Sequence, residues 1–249
     1  MMLTKIGLSS ALVLVSVSAL AAPDNGLYLS GKAGVGIINL GNQSLSYSSD
    51  VIPSDFGNKH DSNFSGALAV GYDFHPQFGV PVRLELEYSG YGKANSNNSV
   101  TYSEAAFGYP DYEGRKENNL SVQLQTVLVN GYWDIRTSTP FTPWVSAGLG
   151  FSHLSLDQHT VDSDTQISTG RLDDITRSGN HSGSSSNFAW AVGAGINWAL
   201  TDNVSLDLSY RYVDAGKVEA NYTTRRGVSE TAKVSVTSND VLLGVRYTF

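Results

Sequence analysis

The sequence predicts an all-β protein: an eight-stranded antiparallel up-and-down transmembrane β-barrel with four long external loops and short periplasmic turns. Three observations lead there. Apolar and aromatic residues recur at every second position in eight separate stretches, the period of a pleated strand with one oily face. The connections alternate between short turns and polar segments of about twenty to thirty residues. The last stretch sets Val241, Leu243, Val245 and Tyr247 on one face and stops on an aromatic, Phe249.

The first strand, over 27–37, places Leu27, Leu29, Ala33, Val35 and Ile37 against Tyr28, Ser30, Lys32, Gly34 and Gly36. The second, 64–74, sets Phe64, Leu68, Val70, Tyr72 and Phe74 against Ser65, Ala67, Ala69, Gly71 and Asp73. The third, 82–90, alternates most cleanly: Val82, Leu84, Leu86 and Tyr88 against Arg83, Glu85, Glu87 and Ser89. In the fourth, about 120–134, Leu120, Val122 and Leu124 hold one phase while Val127, Val129 and Trp133 hold the other. A β-bulge near Gln125-Thr126 is expected to reset the register; the alternative turns Leu128, Asn130 and Tyr132 outward.

The fifth strand, 144–156, presents Val145, Ala147, Leu149 and Phe151 outward over Ser146, Gly148, Gly150 and Ser152. The sixth, 188–200, presents Phe188, Trp190, Val192, Ala194, Ile196 and Trp198 against small residues and Asn197. The seventh, 204–212, sets Val204, Leu206, Leu208, Tyr210 and Tyr212 against Ser205, Asp207, Ser209 and Arg211. The eighth runs from about 234 to the terminus, with Asp240 and Arg246 on its polar face. Each is long enough for a tilted crossing of ~9–11 residues.

Period-2 alternation also suits a soluble barrel or sandwich, so the faces must decide. The oily face carries no charge, as lipid demands, since Arg or Lys at the bilayer midplane costs about 2–4 kcal/mol. Aromatic residues gather near strand ends, where an interfacial girdle would sit. The opposite face holds Lys32, Asp73, Arg83, Glu85, Glu87, Asp207, Arg211, Asp240 and Arg246, which suits a polar lumen.

The N-terminus reads as a leader. Lys5 precedes an apolar stretch and Ala19-Leu20-Ala21 offers a small-x-small cleavage site, so residues 1–21 are the expected signal peptide and 22–249 the barrel domain. That apolar stretch is shorter than the ~20 residues a spanning helix needs. Of 16 Lys+Arg, loss of Lys5 leaves 15 against 23 Asp+Glu, a net charge of −8. An acidic chain is a poor partner for nucleic acid, where cation–phosphate contacts dominate. There is no cysteine, hence no disulfide, thiolate nucleophile or zinc–thiolate site. At the other end, Val245, Tyr247 and Phe249 resemble the insertion signal by which the barrel-assembly machinery takes up outer-membrane barrels.

Several strand segments resemble the opacity family of outer-membrane proteins. They are 82–88 (VRLELEY), 128–134 (LVNGYWD), 208–212 (LSYRY) with Gly216-Lys217-Val218 beyond it, and 244–249 (GVRYTF). The resemblance spans all eight strands but not the loops. It implies a surface barrel, in a family often labelled porin, whose members bind host receptors or sulfated glycans through their loops. The loops here do not match those binding loops, so no ligand and no functional residue is carried over.

Eight strands enclose a lumen that side chains can fill. Lys32, Arg83, Glu85, Glu87, Asp207, Arg211, Asp240 and Arg246 are therefore expected to neutralise one another, because an unpaired buried charge is costly. The first and last strands must pair, which could bring Lys32 toward Asp240. A conducting path past these charges is the alternative, a small-solute porin. His153 and Ser155, two residues apart on one strand, share a face and form the minimal pattern of a base–nucleophile pair. With Asp157 or Glu230 as orienter, they define a third reading as a lipid A-modifying enzyme; the preferred reading is no enzyme. Asp162-Ser163-Asp164 and Asp173-Asp174 lack the full calcium-loop pattern, so no metal or cofactor is expected.

The external segments carry the contact candidates. Arg115, Lys116, Arg225 and Arg226 suit lipopolysaccharide phosphates or sulfated sugars. Phe107, Tyr109 and Tyr112 surround Pro110 in a polar stretch, and exposed aromatics are common hot spots. The expected function is adhesion by a monomeric, plugged barrel whose loops meet a host receptor or glycan. Outer-membrane lipid and lipopolysaccharide would surround it.

Overall fold

The computed structural model describes residues 26–47, 59–104, 112–166, 175–223 and 229–249. The strands are β1 (Leu27–Tyr47), β2 (Lys59–Asp73), β3 (Val82–Tyr91), β4 (Ala94–Glu104), β5 (Tyr112–Asp134), β6 (Phe141–Gln166), β7 (Ile175–Ala199), β8 (Val204–Thr223) and β9 (Ser229–Thr248). One helical turn, α1 (His75–Phe78), joins β2 to β3. β3 and β4 both pair with β5, on either side of Gly92-Lys93, and so form a single wall. Neighbours follow the order β3-β2-β1-β9-β8-β7-β6-β5, and the β3–β5 ladder closes the ring. The result is an eight-walled antiparallel barrel whose first and last strands pair from Tyr28↔Thr248 upward.

The oily face points out. Phe64 is 69% exposed, Phe151 68% and Leu149 60%, and their neighbours in every wall complete a continuous apolar belt. Along β6 the belt runs over 141–151, about 35 Å of strand at the usual rise, which a tilted strand needs to cross hydrocarbon. Aromatic pairs rim its short-turn end, with Phe141 stacked on Trp198 at 5.7 Å and Tyr72 edge-on to Phe74 at 4.9 Å. At the far rim Trp190 meets Tyr212 at 5.5 Å.

The strands run well past the lengths expected from periodicity. The polar segments after the first, third, fifth and seventh strands are mostly ladder: β6 continues to Gln166 and pairs with β7 from Asp164↔Ile175 inward. The four long external connections are thus hairpin arms, and period-2 apolarity could not show them because no lipid faces them.

Strand β5 corrects the bulge expectation. Its ladder with β6 is unbroken from Tyr112↔Gln166 to Asp134↔Trp144. Leu120, Val122, Leu124, Leu128, Asn130 and Tyr132 all face inward, so the alternative with Leu128, Asn130 and Tyr132 outward also falls. The side chains keep one phase; the surroundings change. Within the belt the outside is lipid and the inside is polar, whereas above it the outside is water and the inside is apolar. The same inversion occurs in β1, where outward Ile37 is followed by inward Ile38 and Leu40. Register resets do exist, but between Gly41 and Ser44 against β9, and between Asp214 and Lys217 in β8. At the second, Gly216 adopts φ 81°, a left-handed conformation that glycine alone enters freely.

Above the belt two ladders stop. β7 and β8 pair only as far as Trp190↔Asp214, and β2 and β3 only as far as Ser65↔Tyr91. The outer walls therefore separate into two four-stranded sheets, β2-β1-β9-β8 and β4-β5-β6-β7. Between them lies one apolar cluster: Ile38, Leu40, Val218, Val234 and Val236 from the first sheet meet Ala94, Leu120, Val122, Leu124, Leu154 and Leu156 from the second. A sandwich thus stands on the barrel.

Candidate functional site: a closed lumen beneath an external sandwich

Alternation turns Arg83, Glu85 and Glu87 of β3 into the barrel, where all are almost fully buried (2%, 2% and 1% exposed). Buried charges persist only when paired and hydrogen-bonded. Lys32 Nζ donates to Glu85 Oε1 and Glu87 Oε2, both at 2.6 Å, and to the Tyr132 hydroxyl at 3.1 Å. Arg211 bridges Glu87 and Asp240, reaching Asp240 Oδ2 at 2.8 Å. The Tyr91 hydroxyl donates to the same oxygen at 2.7 Å, and Ser89 Oγ donates to Glu87 at 2.7 Å. Tyr132 and Tyr28 donate to Glu85 at 2.8 and 3.2 Å. Five walls are tied across the lumen by this one cluster.

A second pair lies toward the short turns. Arg83 grips Asp134 with two parallel bonds of 2.8 Å, and its guanidinium lies 4.4 Å from the centre of the Tyr132 ring. The Trp144 indole donates to Asp207 Oδ2 at 3.0 Å. That indole fits only because Gly195 has no side chain: a Cβ there would stand 2.5 Å from the Trp144 ring.

The expected approach of Lys32 to Asp240 does not occur. In the β1–β9 ladder Lys32 faces Gly244 while Asp240 faces Gly36, four residues further up. Lys32 reaches across the lumen to β3 instead, and Arg211, directly opposite Asp240 on β8, takes that carboxylate. Arg246 also departs from mutual neutralisation. Its polar contacts are Ser205 Oγ at 3.2 Å and Asn197 Oδ1 at 3.1 Å, with Tyr28 beneath its guanidinium at 5.3 Å. Asp73 lies at the short-turn rim, where Arg136 reaches it at 3.2 Å. Asp134 and the tyrosines 28, 91 and 132 are essential partners that charge-counting overlooked. The signal was present: a Tyr or Asp on the inward phase of a strand needs a partner.

Two spaces border the network. Near the network a void of about 10 Å³, room for one water, is lined by Lys32, Arg83, Glu85, Tyr132, Asp207 and Arg246. A wider recess of about 120 Å³ opens at the short-turn mouth beside Asp134, Arg136, Asn197, Asn203 and Arg246.

Of the contact candidates, Phe107, Tyr109, Arg225 and Arg226 lie outside the described residues. Tyr112 opens β5, and Lys116 follows within it. Arg115 is exposed on the same strand and pairs with Glu117 at 3.1 Å. His153, Ser155 and Asp157 alternate on the outward phase of β6, above the belt, with His153 Nδ1 3.1 Å from Ser186 Oγ. Asp162 and Asp164 fall in the outer half of β6, while Asp173 and Asp174 lie outside the described residues.

A closed barrel with lipid-facing residues outside and ion pairs inside defines a small integral protein of the bacterial outer membrane. Residues 8–249 match the outer membrane protein beta-barrel domain, and the chain belongs to that family. Outer membrane protein PagN of Salmonella typhimurium is 35% identical over 243 residues, covering 95% of both chains. Opacity protein opA67 of Neisseria gonorrhoeae is 26% identical over 199 residues, 73% of this chain and 76% of that one. The kinship expected from the strand segments is met. The crystal structure of OprG from Pseudomonas aeruginosa aligns over 90% of this chain and 97% of its own at 13% identity, with a TM-score of 0.49. The protein thus resides in the outer membrane, in contact with its lipid and lipopolysaccharide.

Proposed function

We propose that this protein is a surface-contact barrel of the opacity type: the lumen is shut, and the external hairpins engage a receptor or glycan on a facing surface. The observation that carries this reading is the pair of filled interiors. Ion pairs occupy the lumen inside the lipid belt, and an apolar core fills the sandwich above it. A core outside the membrane adds nothing to anchoring in lipid; it ties together the described outer parts of β1, β5, β6, β8 and β9. Arg115 and Lys116 on β5, with Arg225 and Arg226 in the last hairpin, supply cations for phosphate or sulfate groups.

The test pairs two measurements. Cells displaying the protein should adhere to an epithelial layer or an immobilised sulfated glycan, and exchange of the tips 105–111 and 167–174 for short Gly-Asn turns should abolish the gain. Purified barrel in a planar bilayer should give no stable conductance steps. Unchanged adhesion after both exchanges overturns the contact reading, and steps that alter with Arg211→Ala favour a small-solute porin. Residues 1–21 are proposed as the export leader and Val245, Tyr247 and Phe249 as the insertion signal. On that proposal, Phe249→Ser lowers the outer-membrane yield several-fold in membrane fractionation.

A further inference from the structure

Three of the lumen cations hold anions: Arg83 holds Asp134, Lys32 holds Glu85 and Glu87, and Arg211 holds Glu87 and Asp240. Arg246 differs. A guanidinium carries five N–H donors. One of them goes from Nε to Ser205 Oγ at 3.2 Å and one from Nη2 to Asn197 Oδ1 at 3.1 Å, while Nη1 is enclosed without a partner. The Tyr28 ring, 5.3 Å away, offers its face but no charge. Asp207 lines the same small void, yet among the described residues no hydrogen bond or ion pair joins the two, and Asp207 Oδ2 accepts from Trp144 instead. A cation withdrawn from water among neutral partners is costly unless an anion reaches it.

Arg246 also forms part of the wall of the recess at the short-turn mouth, whose volume of about 120 Å³ exceeds the needs of a single water. The hydrogen-bonding capacity left on that wall is mostly that of donors. Ser205 Oγ accepts from Asn197 Nδ2 at 3.0 Å and from Arg246 Nε, so only its own O–H remains to be used. Thr201 Oγ1 accepts the backbone N–H groups of Asn203 and Val204 at 3.3 and 2.9 Å, which leaves its O–H in the same position. Of the carboxylates on the wall, Asp134 is held through both oxygens by Arg83. Asp202 sits on the exposed turn between β7 and β8, where water and salt screen it. Arg136 adds a second cation at the rim. A cation beside unused hydroxyl protons is the complement of an oxyanion.

We propose that this recess binds a small oxyanion, a carboxylate or phosphate free in the periplasm, which serves Arg246 as counter-ion and takes the hydroxyls of Ser205 and Thr201. Asn197, Ser205 and Arg246 all lie on the inward phase of their strands, so the site opens inside the barrel mouth and not toward the lipid around it. The anion is bound and not conducted, because the ion pairs of Arg83, Lys32 and Arg211 lie beyond it. An anion that recognises only the folded barrel stabilises it by mass action. The site faces the opposite side of the membrane from the hairpins, and the inference stands apart from the adhesive reading.

The test uses the folded barrel in an uncharged sugar detergent with chloride as the only buffer anion. Acetate and inorganic phosphate are titrated in separately by calorimetry at constant ionic strength, which tells the two anion classes apart. At least one should bind saturably, one per barrel, and should raise the urea midpoint of the heat-modifiable band. Arg246→Gln should weaken that binding by about tenfold or more, the scale of a lost charged hydrogen bond, and should remove the anion-dependent rise in midpoint. Ala199→Phe keeps Arg246 but occupies the recess that Ala199 lines, and it should weaken binding as strongly. Asp202→Asn should leave binding intact. Gel mobility verifies that each variant has folded. Absence of saturable binding by both anions, or binding retained in full by Arg246→Gln or by Ala199→Phe, would overturn the proposal.

Discussion

Glu87 shows how much a single inward residue can hold. It receives Lys32, Arg211 and Ser89. Glu87→Ala leaves Lys32 on Glu85 and Arg211 on Asp240, so it should destabilise the barrel by about 1–3 kcal/mol, the usual result of removing one hydrogen-bonding partner of buried groups. Urea titration followed by gel mobility would read the loss. Arg211→Met should cost more, about 3–5 kcal/mol, because Asp240 is then buried with only the neutral Tyr91 and Ser238 beside it. Asp134 is comparable: Asp134→Ala leaves Arg83 buried against Tyr132 with no carboxylate, and the same titration should report a similar loss. Among the described residues Arg246 has no carboxylate partner and contacts neutral groups, so Arg246→Gln should shift the midpoint far less.

At the scale of the element, β5 is the instructive strand, because one unbroken alternation serves two solvents. Val129→Arg places a cation in the lipid belt, where about 2–4 kcal/mol opposes insertion. Its expected signature is loss of the heat-modifiable band from outer-membrane fractions. Val122→Arg places the same cation inside the sandwich, so the barrel should still insert while proteinase K on intact cells gains cuts in the external arms. The membrane-embedded parts of β1, β3, β6, β8 and β9 were plain in the amino-acid order, because lipid imposes a strict oily face on every second residue. The outer half of β5 defeats that rule. Leu120, Val122 and Leu124 are as apolar as a lipid-facing set, and composition alone does not say on which side the water lies. The arms of β6 and β7 were legible only as polar sequence, since Ser, Asn and Gly pair through backbone groups that leave no mark in hydropathy. The charged site was half visible: inward charges were evident, but which cation meets which anion depends on register across the lumen. Lys32 finding Glu85 and Glu87 rather than Asp240 is that dependence at work.

For the whole molecule, two interiors of opposite polarity are stacked along one axis. The lower is held by ion pairs inside a sleeve of lipid-facing residues; the upper is held by Leu and Val inside a polar coat. The two meet at Tyr91, whose ring belongs to the apolar cluster and whose hydroxyl donates to Asp240, while Leu124 lies in the upper one alone. Leu124→Ala should therefore cost about 2–5 kcal/mol of packing in the upper part without changing the conductance of the lower. Protease sensitivity on cells and planar-bilayer recording would separate the two effects. Removal of the tips should leave both interiors intact, so the shortened barrel is expected to retain its heat-modifiable mobility.

That upper layer has a bearing on how such a surface can change over generations. The described outer strands are joined over the charged interior by a stratum of Leu and Val side chains, Leu120, Val122, Leu154 and Val236 among them. Sequence change on the outward, water-facing side of those strands can thus proceed without disturbing the residues that hold the barrel in the membrane.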